Sequence, residues 1–450
     1  MQATIDFGKE KIHKIIFRLA PPVMIGQLIQ ALYNIIDSLF VGNFDQDGLT
    51  ALSIIYPLQL LMIALAVGTG VGINALMSHY RGLGQNNKSN EVAGIGTQLA
   101  IISWIVFAVI TYLALPSYVK LQTHDEKIIE YSLSYGTIVC VFSIGLFLES
   151  IWSKILQAEG RMVLPMVDQI VGAIINIVLD PILIFGFKIG LPGAAIATVV
   201  GQLVSALIIL KWGFRKSPKI NLYPKYLGKI YKLGLPNIVM QSAYTFYIFG
   251  LNIILSKYSD AAVTTLGLYY KLQTFFFIPL GSLQTCMVPI ISYNYARLDI
   301  NRCKKILNEC IIMGLALMFL GTLCFEFIPI PMVKIFSNDP EVLKITNYAF
   351  RFVGISFIPM VTSLIFPVFF ESVGCIFRST ILTVIRTVVC FVPLGLLFSA
   401  IGGLFWFWLI YPITETITTI AGYIFYIYFL KKHKNIAPKI EDIPNEKPTV

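Results

Sequence analysis

The chain has 450 residues, of which 56% are hydrophobic and 13% charged, and its formal net charge at pH 7 is +10. A soluble protein of this length would contain two or three globular domains. Here the hydrophobic residues instead form about twelve runs, each near the roughly 20 residues that a helix needs to cross hydrocarbon. These runs use most of the chain and exclude a large soluble domain.

We predict an all-α integral membrane protein with twelve transmembrane helices. In the first half they cover residues 14–42, 50–79, 92–115, 131–156, 161–187 and 191–212. In the second half they cover residues 229–258, 261–293, 303–328, 342–370, 378–400 and 402–430. Helices satisfy their own backbone hydrogen bonds in lipid, whereas a β-barrel needs short alternating strands that these continuous runs do not supply.

Lysine and arginine are concentrated at the N-terminus, in the connections that follow even-numbered helices, and in the C-terminal tail. The first connection instead carries Asp45 and Asp47. The positive-inside rule therefore predicts a multi-pass protein of the plasma (inner) membrane with both termini in the cytoplasm. Because the cations are spread over many loops, we expect no nucleic-acid partner.

The two halves of the chain repeat each other at one constant offset. The matched pairs are Pro22 with Pro236, Gln27 with Gln241, Thr50 with Thr264, Tyr56 with Tyr270, Gln59 with Gln273, and Ser78 with Ser292. Six helices per repeat is an even number, so both halves begin on the same side of the membrane, as in the parallel repeats of transporters. We predict an N-lobe (1–213), a basic cytoplasmic linker (214–228), a C-lobe (229–432) and a cytoplasmic tail (433–450).

Catalytic and metal-binding patterns do not emerge from the sequence. The seven cysteines are scattered, and neither a CxxC pair nor a Cys/His cluster is present. HExxH and GxSxG motifs are also missing, which argues against a membrane-embedded enzyme. We expect no enzyme activity, no bound metal and no cofactor apart from a transported ion.

Two acidic residues lie inside predicted helices of the first half. Asp37 is one to two turns from the outer end of the first helix, and Tyr33 precedes it by one turn. In the fifth helix Asn176 and Asp180 are spaced i, i+4 and share one face. Thr198 lies at a similar depth in the sixth helix. A carboxylate facing lipid costs a few kcal/mol, so these groups are expected to face the bundle interior and to bind a proton or Na⁺.

Each acid alone also has a structural explanation. Asp37 can hydrogen-bond a neighbouring helix, and Asp180 precedes Pro181, which frees a backbone carbonyl. The second half lacks the acid pair, because Leu251 takes the place of Asp37 and, by a looser alignment, Cys390 that of Asp180. Ion coupling is therefore predicted for the first lobe.

Further polar, aromatic and methionine residues inside the helices are candidates for lining a substrate cleft. They are Gln30, Asn34, Glu149, Trp152, Met240, Lys271, Met287, Arg386 and Glu415. The charged members could meet a substrate or pair with one another for structure. Asp168, Glu326 and Glu371 lie nearer helix ends, where we expect solvated groups.

Several motifs in order make the chain resemble the multidrug and toxic compound extrusion (MATE) family. They are "NIIDSLFVG" in the first helix, "QAEG" after the fourth, "NIVLDPILIFG" in the fifth and "LPGAAIAT" at the start of the sixth. The resemblance implies a V-shaped cleft between two six-helix lobes. It assigns a cation-coupling role to Asp37, Tyr33, Asn176, Asp180 and Thr198, and a bend in the first helix to Pro22.

Two positions depart from the family pattern. An asparagine of the cleft falls on Ser153, and a glutamine of the tenth helix falls on Glu371. Pro22 follows Pro21 near the inner end of the first helix. The alternative to a bend is that the two prolines simply begin this helix.

The resemblance implies an antiporter, coupled to H⁺ or Na⁺, that exports amphipathic and often cationic drugs and so confers resistance. Na⁺ would bind at Asp37, Asp180 and Asn176. We expect a monomer whose partners are small amphipathic molecules and the lipid bilayer. The rival is a flippase for lipid-linked precursors, which would need a cleft rich in arginine and lysine, whereas the sequence offers only Lys271 and Arg386.

Overall fold

A computed structural model describes residues 6–433 of the chain. Within this range, twelve helices are long and apolar enough to span a membrane, as predicted. Those of the first half are α1 (Ile12–Phe44), α2 (Gln46–Gly82), α3 (Asn86–Gln122), α4 (Glu126–Ala158), α5 (Val163–Gly186) and α6 (Leu191–Gly213). Those of the second half are α7 (Tyr223–Leu255), α8 (Asp260–Ala296), α9 (Ile300–Phe327), α10 (Pro340–Ser372), α11 (Ile376–Phe407) and α12 (Ile410–Lys432).

Three of these helices are locally irregular. In α4 a turn separates Glu126–Val141 from Ile144–Ala158. The last turns of α5, Ile182–Gly186, and the middle of α11, Ile385–Phe391, have π-helical hydrogen bonding. Such segments inside α-helices are frequent at functional sites, and the two π segments lie next to the buried charges described below.

Several helix ends differ from the predicted ones, and one proline interpretation is wrong. Helix α7 begins at Tyr223 and not at residue 229, so its first turns lie within the segment 214–228 that we predict as a linker. Helical hydrogen bonding in α11 continues to Phe407, beyond the predicted end at residue 400, although Gly403, with φ of +64°, breaks the regular helix there. Pro22 lies well inside α1, so a helix-start pair is excluded. Of the predicted tail 433–450, residues 434–450 lie outside the described range.

All twelve helices alternate in direction, so the starts of odd-numbered helices and the ends of even-numbered ones share one face, here called the terminal face. The opposite face carries the α1–α2 connection. There Lys127 Nζ lies 2.6 Å from Asp45 Oδ2 and 2.7 Å from Asp47 Oδ2. Hydrogen bonding to Lys127 holds the pKa of Asp45 below its usual range.

The two six-helix lobes meet mainly where α2 packs against α7 and α8. The closest approaches involve glycines in the half of α2 nearer the terminal face. A Cβ added at Gly72 would collide with the carbonyl oxygen of Ile230, and one added at Gly82 with that of Tyr293. On α7, a Cβ at Gly234 would collide with the carbonyl oxygen of Gly68. The lobes are therefore in backbone contact near the terminal face.

We expect Gly234→Leu to destabilise the protein by roughly 1–3 kcal/mol, because an inserted side chain forces closely packed backbones apart. Gly228 is the matched control, since it lies on the same helix and a Cβ there meets nothing within 4 Å. Thermal unfolding of the detergent-solubilised protein would check this. Equal melting temperatures for Gly234→Leu and Gly228→Leu would contradict the close lobe contact.

Candidate cation and substrate sites

The carboxyl groups of Asp37 on α1 and Asp180 on α5 lie next to each other, close enough to interact. Asp180 is fully buried and Asp37 is 8% exposed. Neither oxygen of Asp180 accepts a hydrogen bond from a donor group in the described part of the chain. Two acids in contact away from water cannot both stay ionised without a cation, so the pair must share a proton or hold a positive ion.

Oxygen atoms from α5 and α6 lie beside this acid pair. Asn176 Nδ2 donates to Thr198 Oγ1 at 3.4 Å, while Asn176 Oδ1 is buried without a partner among the described residues. Asn176 and Asp180 are one helical turn apart, so both side chains face α1. The structure thus brings together four of the five residues named for cation coupling, with oxygen ligands of the kind that bind Na⁺ or a proton.

Tyr33, the fifth of these residues, lies between the acid pair and a third acid. Its hydroxyl is within electrostatic range of Asp37, Asp180 and Glu149, and it lines the same cavity as Gln30. Sequence reasoning missed Tyr135 on α4, which also lies within electrostatic range of Asp37. Tyr135 lies one helical turn after Tyr131, and nothing in this spacing singles it out as a neighbour of Asp37.

A cavity of about 70 Å³ extends from this site toward the terminal face. Its walls come from α1, α4, α5 and α6, and both α5 and α6 contribute residues spaced i, i+3, i+4 and i+7. The polar lining residues are Gln30, Tyr33, Glu149, Gln169, Asn176, Thr198, Gln202 and Ser205. At its floor Gly172 and Gly201 allow α5 and α6 to approach, because a Cβ on Gly172 would collide with Ser205. Drug-sized pockets measure roughly 300–1,000 Å³, so this cavity suits small ions and water.

A second acid pair lies at the far end of the cavity. Ser153 Oγ is 2.9 Å from Glu149 Oε1 and 3.5 Å from Asp168 Oδ2, and Gln169 Nε2 is 3.5 Å from Glu149 Oε1. Asp168 is fully buried, so its expected solvation is wrong. The same correction applies to Glu371, which is 2% exposed. The sequence places both residues near helix ends, where side chains usually reach water. In the folded protein neighbouring helices cover them.

In the second lobe Arg386 and Glu415 form a buried ion pair. The guanidinium donates from Nη2 at 2.7 Å and from Nε at 3.0 Å to Glu415 Oε1, and Ser363 Oγ donates to Oε2 of the same carboxylate. Glu415 is fully buried. Of the two roles left open by the sequence, cleft lining and mutual pairing, the structure shows pairing.

Aromatic rings enclose this ion pair. Tyr247 stacks on Phe391 with centroids 4.6 Å apart, and the Arg386 guanidinium lies over the Phe391 ring at 5.3 Å. Tyr247 occupies the position in the second repeat that Tyr33 has in the first. Leu251, the counterpart of Asp37, is fully buried in the hydrophobic core. The two lobes therefore differ in their buried polar chemistry while sharing one fold.

The remaining candidates for the substrate cleft are placed differently. Trp152 is buried and donates from Nε1 to Thr97 Oγ1 at 2.9 Å, and Met287 is fully buried in the core, so neither lines an open cleft. Asn34 and Lys271 are exposed, and Met240 is half-buried. Their contact with substrate stays a prediction.

The MatE family model matches two segments of the chain, residues 22–182 and 236–397. The chain belongs to the MatE family. The two segments begin at Pro22 and Pro236, the first pair of the internal repeat, so each lobe corresponds to one copy of the family unit. As a MatE member the chain is a multi-pass membrane transporter.

Relatives of this MatE protein match it along almost its whole length. The multidrug export protein MepA of Staphylococcus haemolyticus is 23% identical over 443 residues, which cover 96% of each chain. The MepA protein of Staphylococcus aureus is 23% identical, covering 88% of this chain and 90% of the relative.

Solved structures agree with the fold. One, described as the outward-facing conformation of a multidrug resistance MATE family transporter, has a TM-score of 0.90 at 21% identity and covers 97% of this chain and 100% of its own. A mutant of the Vibrio cholerae MATE transporter VcmN has a TM-score of 0.88 at 19% identity, covering 94% of this chain and 97% of its own.

We expect Arg386→Met to destabilise this MatE protein by about 3–5 kcal/mol, because it leaves the Glu415 carboxylate buried without its cation. Thermal unfolding in detergent measures the effect. The double variant Arg386→Met/Glu415→Leu removes both charges and should recover most of the loss. A double variant as unstable as the single one would show that the ion pair itself, and not the unpaired acid, controls stability.

Proposed function

We propose that this MatE transporter is a cation-coupled antiporter that exports amphipathic, often cationic compounds by alternating access. The observation that carries the proposal is the contact between the Asp37 and Asp180 carboxyl groups inside the first lobe. A buried acid pair without a fixed cation is expensive to maintain for structure alone. It is well suited to bind and release an exchangeable cation.

The substrate class is supported by the relatives and by the chemistry of the lobes. The staphylococcal relatives are named multidrug export proteins. The 70 Å³ cavity is too small for a drug. We therefore place a bulky substrate in the cleft that the family resemblance implies between the two lobes. Aromatic and methionine side chains along the helices supply the adaptable apolar surface on which such compounds bind.

The transport cycle follows from competition between cation and substrate. The lobes are in contact near the terminal face, through Gly72 and Gly234, so the state described is closed on that side. We place the terminal face in the cytoplasm, because it carries most of the basic residues. A proton or Na⁺ that neutralises Asp37 and Asp180 repositions α1 and weakens substrate contacts. Linkage then requires that each ligand lower the affinity of the other.

A flippase for lipid-linked precursors is disfavoured. Such a protein needs free cations in its cleft to hold a pyrophosphate. Arg386, one of two cations that the sequence offers for this purpose, is neutralised by Glu415.

We predict that Asp37→Asn abolishes drug resistance in cells without lowering the amount of protein in the membrane, because an amide cannot take up and release a proton and has no negative charge to hold Na⁺. Minimum inhibitory concentrations of cationic dyes and immunoblots of membranes would measure both. Asp47→Asn serves as control, since Asp47 is an exposed partner of Lys127 at the opposite face. Full resistance in the Asp37→Asn strain would refute the assignment.

We further predict that an imposed cation gradient drives ethidium transport in proteoliposomes containing the purified protein. A pH gradient and a Na⁺ gradient are applied separately, because oxygen ligands of this type serve either ion. One of the two should accelerate transport, and Asp37→Asn should remove that acceleration. Equal rates with and without both gradients would exclude coupling.

A further inference from the structure

The acid pair of Glu149 and Asp168 has no part in the cation site just described, yet one cavity is lined both by Glu149 and by Asn176, Thr198 and Tyr33, the neighbours of the first pair. Asp180 and Asp168 lie twelve residues apart on α5, which is about 18 Å along the helix axis. Tyr33, Asn176 and Thr198 border the cavity beside the first pair, and Glu149 and Gln169 border it at the second. A cation leaving the first pair therefore has a polar route toward the terminal face.

The size of the cavity fits a hydrated ion or a chain of waters. One buried water needs roughly 10–15 Å³ on this scale, so 70 Å³ holds several. The lining also favours positive charge. Asn176 Oδ1 and Gln202 Oε1 are buried carbonyl oxygens that accept no hydrogen bond from the described residues, and Asn176 itself is only 2% exposed. Unsatisfied acceptors at this depth call for a water, a proton donor or a metal cation.

The hydrogen bonds of the second acid pair also favour the uptake of a positive charge. Ser153 has one hydroxyl hydrogen, so it can donate to only one carboxylate at a time. Its 2.9 Å contact with Glu149 Oε1 uses that hydrogen, so Asp168 Oδ2, 3.5 Å from the same hydroxyl, can hydrogen-bond Ser153 at the same time only when Asp168 carries a proton. A proton taken up by Asp168 would therefore complete the bridge between the two acids.

A cation lies beyond the second pair, on the side of the terminal face. Lys154, five residues after Glu149 on α4, hydrogen-bonds Gln157 at 3.0 Å and interacts electrostatically with Glu149 and with Glu371 of the second lobe. While the lobes are in contact near the terminal face, this ammonium opposes the exit of another cation. Separation of the lobes would take Glu371 away from Lys154 and leave the ammonium free to move.

We propose that the cavity between α1, α4, α5 and α6 is the inward path of the coupling cation, with Glu149, bridged by Ser153 to Asp168, as a second acidic station on it. This inference rests on the proposed antiport. Glu149 is a positioning residue for release of the ion and does not touch the exported drug.

The test uses the full-length protein and two readouts. Equilibrium binding of ethidium, and its displacement by H⁺ or Na⁺ in detergent, reports the first acid pair. Gradient-driven ethidium transport in proteoliposomes reports the whole cycle. For Glu149→Gln we expect binding and displacement like those of the wild type, and transport reduced at least about tenfold, or about 1.4 kcal/mol in barrier. Glu149→Asp, which keeps the carboxylate, should restore much of the transport.

Glu326→Gln is the matched control, because Glu326 is a half-buried acid on α9 with one unpaired oxygen and lies outside the cavity. It should leave both readouts unchanged. Ser153→Ala, which removes the bridge but no charge, should slow transport without changing displacement, and it serves as the second variant if Glu149→Gln does not fold.

Three results would overturn the inference. Wild-type transport by folded Glu149→Gln would show that the second pair is not on the path. If Glu149→Gln does not fold, wild-type transport by Ser153→Ala would show the same. Loss of ethidium binding in Glu149→Gln would make Glu149 a drug contact. Loss of cation displacement with binding intact would place Glu149 in the first site. Failure of the antiport proposal is separate, because it appears as coupled transport by Asp37→Asn whatever Glu149→Gln does.

Discussion

The architecture of the first lobe depends on one contact, that between the carboxyl groups of Asp37 and Asp180. Both are almost fully buried, and in a low-dielectric interior their mutual repulsion is relieved only by a positive charge. We therefore expect α1 to pack differently against α5 when a cation is bound and when it is absent. A small ion that favours one of these two arrangements would meet the physical requirement for coupling.

The second lobe solves the same problem with a permanent cation. Arg386 supplies a positive charge that the described part of the first lobe lacks at its acid pair, and it donates to the Glu415 carboxylate from both Nε and Nη2. A guanidinium attached to α11 cannot exchange with solution, whereas the described residues of the first lobe place no such fixed cation beside its acid pair. The two lobes thus share one fold and differ in their buried polar chemistry, and under the proposed antiport only the first would respond to a cation.

Close backbone contact near the terminal face complements this division. Glycines on α2 and α7 allow the backbones of the two lobes to touch. Lys154 and Glu371 add an electrostatic interaction between lobes at the same level. Helix α4 carries both Glu149 and Lys154, so it is the element through which the proposed cation path and the contact between the lobes would be linked.

The sequence by itself determined the helix count, the duplication and the burial of Asp37 and Asp180, because hydropathy and helical periodicity are local properties of the chain. It also named Asn176, Thr198 and Tyr33 as their neighbours from depth alone. Only the tertiary structure decided that Arg386 pairs with Glu415, that Tyr135 lies near Asp37, and that Asp168 and Glu371 are buried. Those facts depend on which helix covers a given face, and contacts between residues far apart in sequence leave no trace in a local pattern.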